Sequence, residues 1–415
     1  MSLTFDKVLP YLIILIPISL ISGPLIPEIL ITFAVLIFLY KIFNSKDYSY
    51  FKNNYTIFFL FFFTYINLKS FFSIDISLSL KSSFFYFRFY LLSLTIWYVL
   101  DNHKDFPKKF LNLFLVSLCI LIIDSLIQFK FGSNFIGWEK IHPQRISGLF
   151  GDELILGSYL VRFLPLIVGL YVFINFNKFS LKKLLFLFFL ILLIFLGITI
   201  SGDRTAFYLS LIFLPFLLKL RSISYLKNKI FFLAFLFILI LTLLIYNNES
   251  LSKRIFVSTY HSIISKNIEN NNLNFKLFSH THESHIKSAI KIFNDNKLSG
   301  VGIKHFRILC HEKKYLINKW SCANHPHNIY IQFLAELGLV GIFFLLFFFF
   351  YVIFKIFKLI LINQVNSVDL LKFMILSGIF INLFPFAPSG NFFNNWISII
   401  YFFPLGFYFY CEKKS

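Results

Sequence analysis

The chain has 415 residues, of which 58% are hydrophobic and 14% are charged, and its net charge is +20. A water-soluble globular protein carries about 25% charged residues, and a soluble core could not bury this much apolar surface. The composition therefore excludes a soluble globular enzyme or binding module and indicates a helical membrane protein.

Apolar segments follow one another along the whole chain, and most are long enough to cross about 30 Å of hydrocarbon as a helix. The first lacks the basic start and small-residue cleavage site of a signal peptide, so we interpret it as a span. The 62 phenylalanines are expected to face lipid. We predict an all-α integral membrane protein with about 12 transmembrane helices, near residues 8–23, 27–43, 55–72, 82–100, 109–128, 154–175, 183–200, 204–220, 229–246, 328–354, 369–386 and 392–410.

Lysines are concentrated in the short connections that follow the even-numbered spans. The positive-inside rule assigns these connections to the cytoplasm. An even number of spans then places both termini in the cytoplasm. The predicted organisation is spans 1–9 in residues 1–246, a large outer loop in residues 247–326, and spans 10–12 in residues 327–415.

The predicted outer face is rich in basic residues. The large loop has 12 Lys and Arg against 5 Asp and Glu, and with His327 it holds 8 of the chain's 10 histidines. Two short outer connections add Arg145, with His142, and Arg204. Basic residues are disfavoured in short outer connections. Arg145 and Arg204 therefore favour an anionic partner, whereas any single loop lysine also fits a merely solvated surface.

Two of the four cysteines, Cys310 and Cys322, lie in the large loop. A disulfide between them would close a short loop in an oxidising compartment. A metal site is the alternative, because His311, His325 and His327 stand nearby, although Cys-x-x-Cys spacing is missing. Two free thiols are the third possibility. We favour the disulfide and assign no metal.

The stretch HPHNIYIQFLAELGLVG begins at His325, where the loop ends and the tenth span begins. In it, His327-Asn328 is followed after nine residues by Gly338-x-x-Gly341. This pattern resembles the signature of the O-antigen ligase and O-antigen polymerase superfamily, in which His followed by Asn, Ser or Gln stands nine residues before Gly-x-x-Gly. RISGLFGDELILGSYL, SGDRTAF and NDNKLSGVGIKHFRILC resemble further family segments, so the resemblance covers roughly residues 140–345.

The resemblance implies a metal-independent membrane glycosyltransferase of the GT-C type, without a cofactor. It implies action at the periplasmic face of the bacterial inner membrane, with the large loop in the periplasm. The implied donor is a glycan on undecaprenyl pyrophosphate. A ligase transfers that glycan to lipid A–core, and a polymerase transfers it to another lipid-linked repeat unit. We predict the ligase, with the polymerase as the alternative, and expect these lipids and the membrane, not nucleic acid, as partners.

Glycan transfer needs a base for the acceptor hydroxyl and cations for the diphosphate leaving group. His327 is the predicted base, because an imidazole titrates near neutral pH and the positive end of a helix favours its neutral form. Arg204, as a catalytic residue, and Arg145 are predicted to bind the diphosphate, since guanidinium matches phosphate in a bidentate way. Asn328 is expected either to orient His327 or to cap the helix.

The sequence departs from the family at one predicted binding position. Many members carry an arginine near the start of the loop helix that precedes Gly-x-Gly, where this chain reads HTHESHIKSAIKIF. We assign that substrate-binding place to His285 or His282. Arg254 and Arg307 are the other candidates for the missing cation.

The tenth span carries one acidic residue, Glu336, about two and a half turns below His327. A carboxylate at that depth is a functional candidate, and we predict that it binds substrate, with a structural pairing as the alternative. Gly338 and Gly341 are expected to let a neighbouring helix approach closely.

Two functions of other classes remain as alternatives, namely a secondary transporter and an assembly protein of the membrane. A transporter would place ionisable residues near the middle of the membrane. Asp124 and Arg162 are the few deep charges, while polar residues crowd the outer face, so the glycosyltransferase is favoured.

Overall fold

The computed structural model describes residues 2–226, 229–266, 273–275 and 278–414. Within them the chain forms seventeen α-helices and one short antiparallel hairpin. Residues 267–272 and 276–277 of the predicted large loop lie outside the described residues. The fold is therefore helical, as predicted, with the hairpin as its one departure in the described ranges.

The first part of the chain is a series of mostly apolar helices, whose longest connection is residues 132–155. They are α1 (Ser2–Ser19), α2 (Leu25–Ser45), α3 (Asn54–Phe71), α4 (Ile76–Ser83), α5 (Phe87–Asn102), α6 (Phe106–Phe131), α7 (Leu156–Asn175), α8 (Leu181–Ile200), α9 (Arg204–Phe213) and α10 (Ile230–Tyr246). A 3-10 segment, Leu214–Ser222, prolongs α9.

The large loop folds into short elements before the last three long helices. These elements are α11 (Glu249–Ser252), a π turn (Lys253–Val257), α12 (Ser258–Ile263), β1 (Ile264–Lys266) paired with β2 (Leu273–Phe275), α13 (His280–Asp295) and α14 (Phe306–Leu309). The last helices are α15 (Ile329–Leu361), α16 (Ser367–Asn382) and α17 (Asn395–Lys414). We call the end of the bundle that carries the loop elements the loop face.

Each of the twelve predicted spans overlaps a helical segment. Seven described segments are long and apolar enough to cross a membrane, and an eighth is added if the bent pair Phe232–Tyr246 and Glu249–Ser262 forms one span. α16 has only 16 residues, fewer than the roughly 20 that a full crossing needs. The chain is thus a helical, multi-pass membrane protein, and twelve crossings stay a prediction.

α7 lies at the centre of the bundle, with residues 159–172 buried around its whole circumference. Glycines let α16 approach it closely. A Cβ atom at Gly169 would lie 2.9 Å from Cβ of Met374, and one at Gly378 would lie 3.1 Å from Pro165. Small residues at such crossings allow the dense packing that holds membrane helices together.

The outer side of α15 is a stripe of phenylalanines. Each is more than half exposed, and they recur every three or four residues, which places them on one helix face: Phe343, Phe347, Phe350, Phe354 and Phe357. A helix face of this kind suits contact with lipid chains.

α15 changes direction at Gly338, whose φ of 65° and ψ of −160° suit glycine. Residues 297–302 of the large loop pair with this kink through the backbone, and the Gly302 N–H donates to the Glu336 carbonyl at 2.8 Å. A Cβ atom at Gly338 would lie 2.5 Å from backbone atoms of the same loop segment. The close approach expected of a neighbouring helix is therefore made by the loop, and at Gly341 the nearest group is a side chain of α15 itself.

Candidate active site

Asn328 caps the first turn of α15. Its Oδ1 accepts hydrogen bonds from the N–H groups of Tyr330, at 3.0 Å, and Ile331, at 3.1 Å. Its Nδ2 donates to the Pro385 carbonyl at 2.8 Å. Of the two predicted roles, the structure shows the cap, and the second bond ties the helix start to the connection 383–394 between α16 and α17.

The backbone at His327 adopts a left-handed conformation, with φ at 55°, which is uncommon for a residue other than glycine. The His327 carbonyl accepts from the Ser389 N–H at 2.9 Å. The His325 Nε2 lies 3.0 Å from the Ser389 carbonyl; because a carbonyl only accepts, the His325 proton is on Nε2. The connection 383–394 therefore clamps the HPH segment, and such constrained backbone is typical of functional sites.

Four imidazoles meet at this point, namely His282 and His285 of α13 with His325 and His327, and we call them the four-histidine cluster. The His327 ring centroid lies 4.8 Å from that of His282, 5.2 Å from His285 and 4.2 Å from His325. His285 is only 8% exposed, and its Nδ1 has no hydrogen-bond partner among the described residues. The predicted base thus lies beside His282 and His285, the predicted substitutes for the family's arginine.

All four histidines favour the neutral form. Burial, with repulsion from His325, His282 and His285 as the smaller cause, lowers the pKa of His327 to about 3. Burial likewise lowers the pKa of His325 to about 4 and lowers the pKa values of His282 and His285. The physical cause is that an imidazolium loses hydration here and gains only positive neighbours. At neutral pH the cluster is uncharged, as a base must be.

Three arginines surround the turn that precedes α9, and we call Arg145, Arg204 and Arg254 the arginine cluster. Arg254 Nε donates to the Gly202 carbonyl at 3.1 Å. A Cβ atom at Gly202 would lie 3.3 Å from Cα of Arg145. The guanidinium of Arg204 is held by the Ser258 carbonyl at 2.8 Å. The three positive charges are close enough to repel one another, so the arrangement suits a multiply charged anion.

A cleft of about 260 Å³ on the loop face reaches one member of each cluster. Arg204 and His282 both line it, together with Phe384 and Pro388 of the connection 383–394. The charge of Arg204 also contributes to the lowered pKa of His282. One cleft therefore runs from the arginine cluster to the ring that stacks on His327.

Two further predicted cations have local backbone partners. Arg145 Nη2 donates to the Leu154 carbonyl at 2.7 Å, and Arg307 Nη2 donates to the Asn324 carbonyl at 3.2 Å. The Nε of each is buried without a partner among the described residues. Arg145 belongs to the arginine cluster, whereas Arg307 acts on His325 by its charge. Neither of the two is among the residues that line the cleft.

Glu336 lies beneath the large loop and is fully buried. Its carboxylate accepts from Gln332 Nε2 at 2.9 Å, and Gln332 Nε2 also donates to Asn391 Oδ1 at 3.0 Å. This network joins α15 to the connection 383–394. Glu336 does not line the cleft, so the structure places it in a structural pairing rather than in the open site.

Cys310 and Cys322 are joined by a disulfide, with their Cα atoms 5.2 Å apart. His311 lies beside them. The bond brings the Arg307 region of α14 close to the HPH segment.

The connection 383–394 was not predicted to contribute to the site. Around Ser389 it reads PFAPSGNFFN, which contains no charged residue. It acts through backbone groups, which the residue types do not reveal; its Pro and Gly residues signal only a shaped loop.

Residues 188–346 match the family model described as O-antigen ligase. The site is thus that of a multi-pass membrane protein whose loop face carries paired histidine and arginine clusters. The predicted resemblance to the O-antigen ligase superfamily is confirmed, and with it an enzyme of the broad ligase or polymerase kind. The match includes Arg204, the four-histidine cluster and Gly341, and leaves out Arg145. No curated protein matches the chain.

Proposed function

We propose that the protein is an O-antigen ligase-type glycosyltransferase of the bacterial inner membrane. It transfers a glycan from undecaprenyl pyrophosphate to lipid A–core at the periplasmic face, without a metal. The observation that carries this proposal is the cleft that Arg204 and His282 both line, with the His327 ring centroid 4.8 Å from that of His282.

The proposed step needs one base and one anion-binding cluster. His327 removes the proton of the acceptor hydroxyl, and the oxygen attacks the anomeric carbon of the donor sugar. The bond from that carbon to the diphosphate oxygen breaks, and the diphosphate leaves with the electron pair. Arg204 and Arg145 stabilise the charge that develops on it, with Arg254 as the third cation.

A pKa of about 3 makes His327 a weak base. General bases work best when their pKa lies near the working pH. A bound diphosphate would place negative charge beside the cluster, and an opposite charge raises the pKa of an imidazole. The donor therefore raises the pKa of the base that acts on the acceptor, which favours proton transfer only when both substrates are present.

Gel analysis of lipopolysaccharide after gene deletion in the native host tests the proposal. A ligase predicts that all capped core disappears and that the wild-type chain restores it. Core capped by a single repeat unit would identify the polymerase instead. An unchanged gel would contradict both.

A further inference from the structure

Asp124 is a buried carboxylate within the apolar helix α6 that the proposed reaction does not use. Its Oδ2 accepts from Asn134 Nδ2 at 3.2 Å, and its Oδ1 accepts from the Phe135 N–H at 3.1 Å. Both donors belong to the connection 132–155 that follows α6. A charged group in a membrane helix is costly and marks a position with a specific task. Here the carboxylate holds the beginning of the next connection against its own helix.

The chain turns back on itself directly after α6, and we call residues 132–140 the fold-back segment. Its two arms are joined where the Asn134 N–H donates to the Trp138 carbonyl at 3.0 Å. Inside the turn, the buried Asn134 Oδ1 accepts from the N–H groups of Ile136, at 3.1 Å, and Trp138, at 2.8 Å. The tip, residues 135–137, is therefore held in one conformation by buried hydrogen bonds.

The tip of the fold-back segment points back along α6 toward the membrane. Asp124 stands seven residues before Phe131, the last residue of α6, which is about 10 Å back along the helix axis. Because Asp124 binds the Phe135 N–H, the tip lies at this level rather than beyond the end of the helix. α6 has 26 residues and is about 39 Å long, against roughly 30 Å of hydrocarbon in a bilayer. The tip therefore lies at the depth where lipid headgroups meet acyl chains.

The fold-back segment exposes apolar side chains at that depth. Phe135 is 71% exposed, Ile136 is 61% exposed and Trp138 is 43% exposed. Phe131, at the end of α6, adjoins them and is 69% exposed. Soluble surfaces rarely group large apolar side chains in this way, and such a patch marks an interaction site.

The same surface continues along α6 as a stripe of exposed apolar residues. They recur every three or four residues, which places them on one helix face: Leu113, Val116, Ile120 and Ile123. Phe131 extends this face, because it follows Ile120 by close to three full turns. Asp124 stands one turn after Ile120, at the edge of the same face. The fold-back segment that covers Asp124 therefore adjoins the lipid-facing side of the helix.

The charges beside the tip suit phospholipid headgroups. Lys130 and Lys140 flank the fold-back segment, against the single acidic residue Glu139, which gives the three a net charge of +1. Lys130 is exposed, whereas Lys140 Nζ donates to the Phe129 carbonyl at 2.6 Å. Basic residues at this level are attracted to anionic headgroups, and tryptophan, as at Trp138, is enriched at the membrane interface.

We propose that the fold-back segment inserts its tip into the membrane leaflet on the side of the loop face. Phe135, Ile136 and Trp138 then lie among the upper acyl chains, and Lys130 lies at the level of the phosphates. A second copy of the chain suits the tip less well. Four side chains of about 200 Å² each, exposed as here, offer roughly 500 Å², whereas each partner in a stable protein interface buries about 800 Å².

The fold-back segment is also joined to the arginine cluster. Gln128 Nε2 donates to the Trp138 carbonyl at 3.2 Å. Gln128 Oε1 accepts from the N–H groups of Ser147, at 3.1 Å, and Gly148, at 2.8 Å, which follow Arg145 closely in the chain. The membrane contact thus keeps Arg145 at a fixed height relative to the lipid surface. This consequence for an anion carried by a lipid rests on the proposed function, whereas the contact itself does not.

Nitroxide labels on single cysteines measure the contact in the full chain, reconstituted in bilayers of phosphatidylethanolamine and phosphatidylglycerol. Phe135→Cys and Ile136→Cys carry the label at the tip. Ile120→Cys, on the exposed stripe of α6, is the lipid reference, and Lys313→Cys, exposed in the large loop, is the water reference. Cys119→Ser removes the partly exposed native thiol from every variant. Because the labelled side chains are exposed, each variant should keep the melting temperature of the Cys119→Ser chain.

Oxygen concentrates in lipid and a polar nickel chelate concentrates in water, so the ratio of their collision rates with a label reports its surroundings. We expect the ratio at both tip positions to be close to that at Ile120→Cys and several-fold higher than at Lys313→Cys. A ratio like that of Lys313→Cys would overturn the proposal. A label shielded from both reagents would also overturn it, because protein would then cover the tip.

Asp124→Asn in the Ile136→Cys chain tests the anchor. The amide keeps only one of the two oxygens that accept from the fold-back segment, so the label should become more mobile and its collision ratio should fall toward the water reference. Unchanged mobility and ratio would mean that Asp124 does not hold the tip in the leaflet. These measurements do not require transfer. A tip in lipid with no glycan transfer would therefore refute the proposed reaction alone, and a tip in water with normal transfer would refute the membrane contact alone.

Discussion

At the scale of single residues, the pKa of His327 could be raised only by negative charge, which the described residues around it do not supply. The charges that act on its pKa from the described residues are those of other histidines, and Arg204 and Arg307 add positive charge at the neighbouring His282 and His325. A carboxylate beside an imidazole raises its pKa, and none acts on His327 from the described residues. In the proposed reaction, the anionic donor supplies that negative charge.

Replacement of His327 by alanine should abolish transfer while leaving expression and membrane insertion intact. Loss of a general base lowers the rate by about 10²–10⁴. The measurement is turnover of purified protein with lipid-linked donor and acceptor. His261→Ala, an exposed histidine of the same loop, is the control. Near-normal turnover of His327→Ala would remove it from the role of base.

The guanidinium of Arg204 should not be replaceable by an ammonium group. Arg204→Lys keeps the charge but loses the fork that reaches the Ser258 carbonyl and a phosphate together. We expect the rate to fall about tenfold or more, as for a lost hydrogen bond between charged groups, and Arg145→Lys to behave similarly but more mildly. The same transfer assay measures both variants. Arg221→Lys, in the 3-10 segment that prolongs α9, is the control. Wild-type rates in both variants would mean that these arginines do not bind the diphosphate.

At the scale of elements, α13 is held to the site in two different ways. Its later turns bury Ala289 and Ile292 in an apolar cluster with Phe306 and Ala335. Its first turns, by contrast, meet the HPH segment through imidazole rings. The first contact does not depend on pH, whereas the second does.

Acid should therefore loosen the start of α13. The folded pKa values of the four histidines lie below 6.5, so their contribution to stability is full above pH 6.5 and is lost as pH falls toward the folded values, about 4 for His325 and about 3 for His327. Hydrogen exchange at residues 280–285 should be faster at pH 5 than at pH 7, after correction for intrinsic exchange. The His282→Gln, His285→Gln double variant should lose most of this difference. Equal protection at both pH values in the wild type would contradict the prediction.

The Cys310–Cys322 disulfide should also stabilise the large loop. It closes a gap of 12 residues, for which the stabilisation is about 2–3 kcal/mol. The Cys310→Ser, Cys322→Ser double variant should insert normally and be less active or more sensitive to protease in its large loop. Non-reducing peptide mass spectrometry tests the bond directly. Two freely alkylated cysteines in wild-type protein from an oxidising periplasm would rule it out.

At the scale of the whole molecule, the sequence predicts the features that depend on a single segment of the chain, such as the helices that the bilayer requires. Apolar run length locates the helices, and the motif around His327 locates the site, because both are patterns within one segment. The pairing of residues 297–302 with the kink at Gly338 and the clamp by Ser389 could not be predicted, since backbone groups distant in sequence make them. Arg162 was visible only as a deep charge; its contact with Asn382 is tertiary.

The orientation of the molecule in the membrane can be measured by labelling introduced cysteines. Positive-inside charges predict that the large loop is periplasmic and the connection between α7 and α8 cytoplasmic. Lys313→Cys and Lys182→Cys place exposed thiols in these two segments, and a membrane-impermeant maleimide reports their side. Lys313→Cys should react in cells whose outer membrane alone is permeabilised, and Lys182→Cys only after the inner membrane is opened. The wild-type chain is the control for its own cysteines: Cys310 and Cys322 are bonded, Cys411 is buried, and the partly exposed Cys119 lies in the middle of the apolar helix α6. Labelling of Lys182→Cys with the inner membrane intact would reverse the orientation and place the proposed site away from its lipid-linked acceptor.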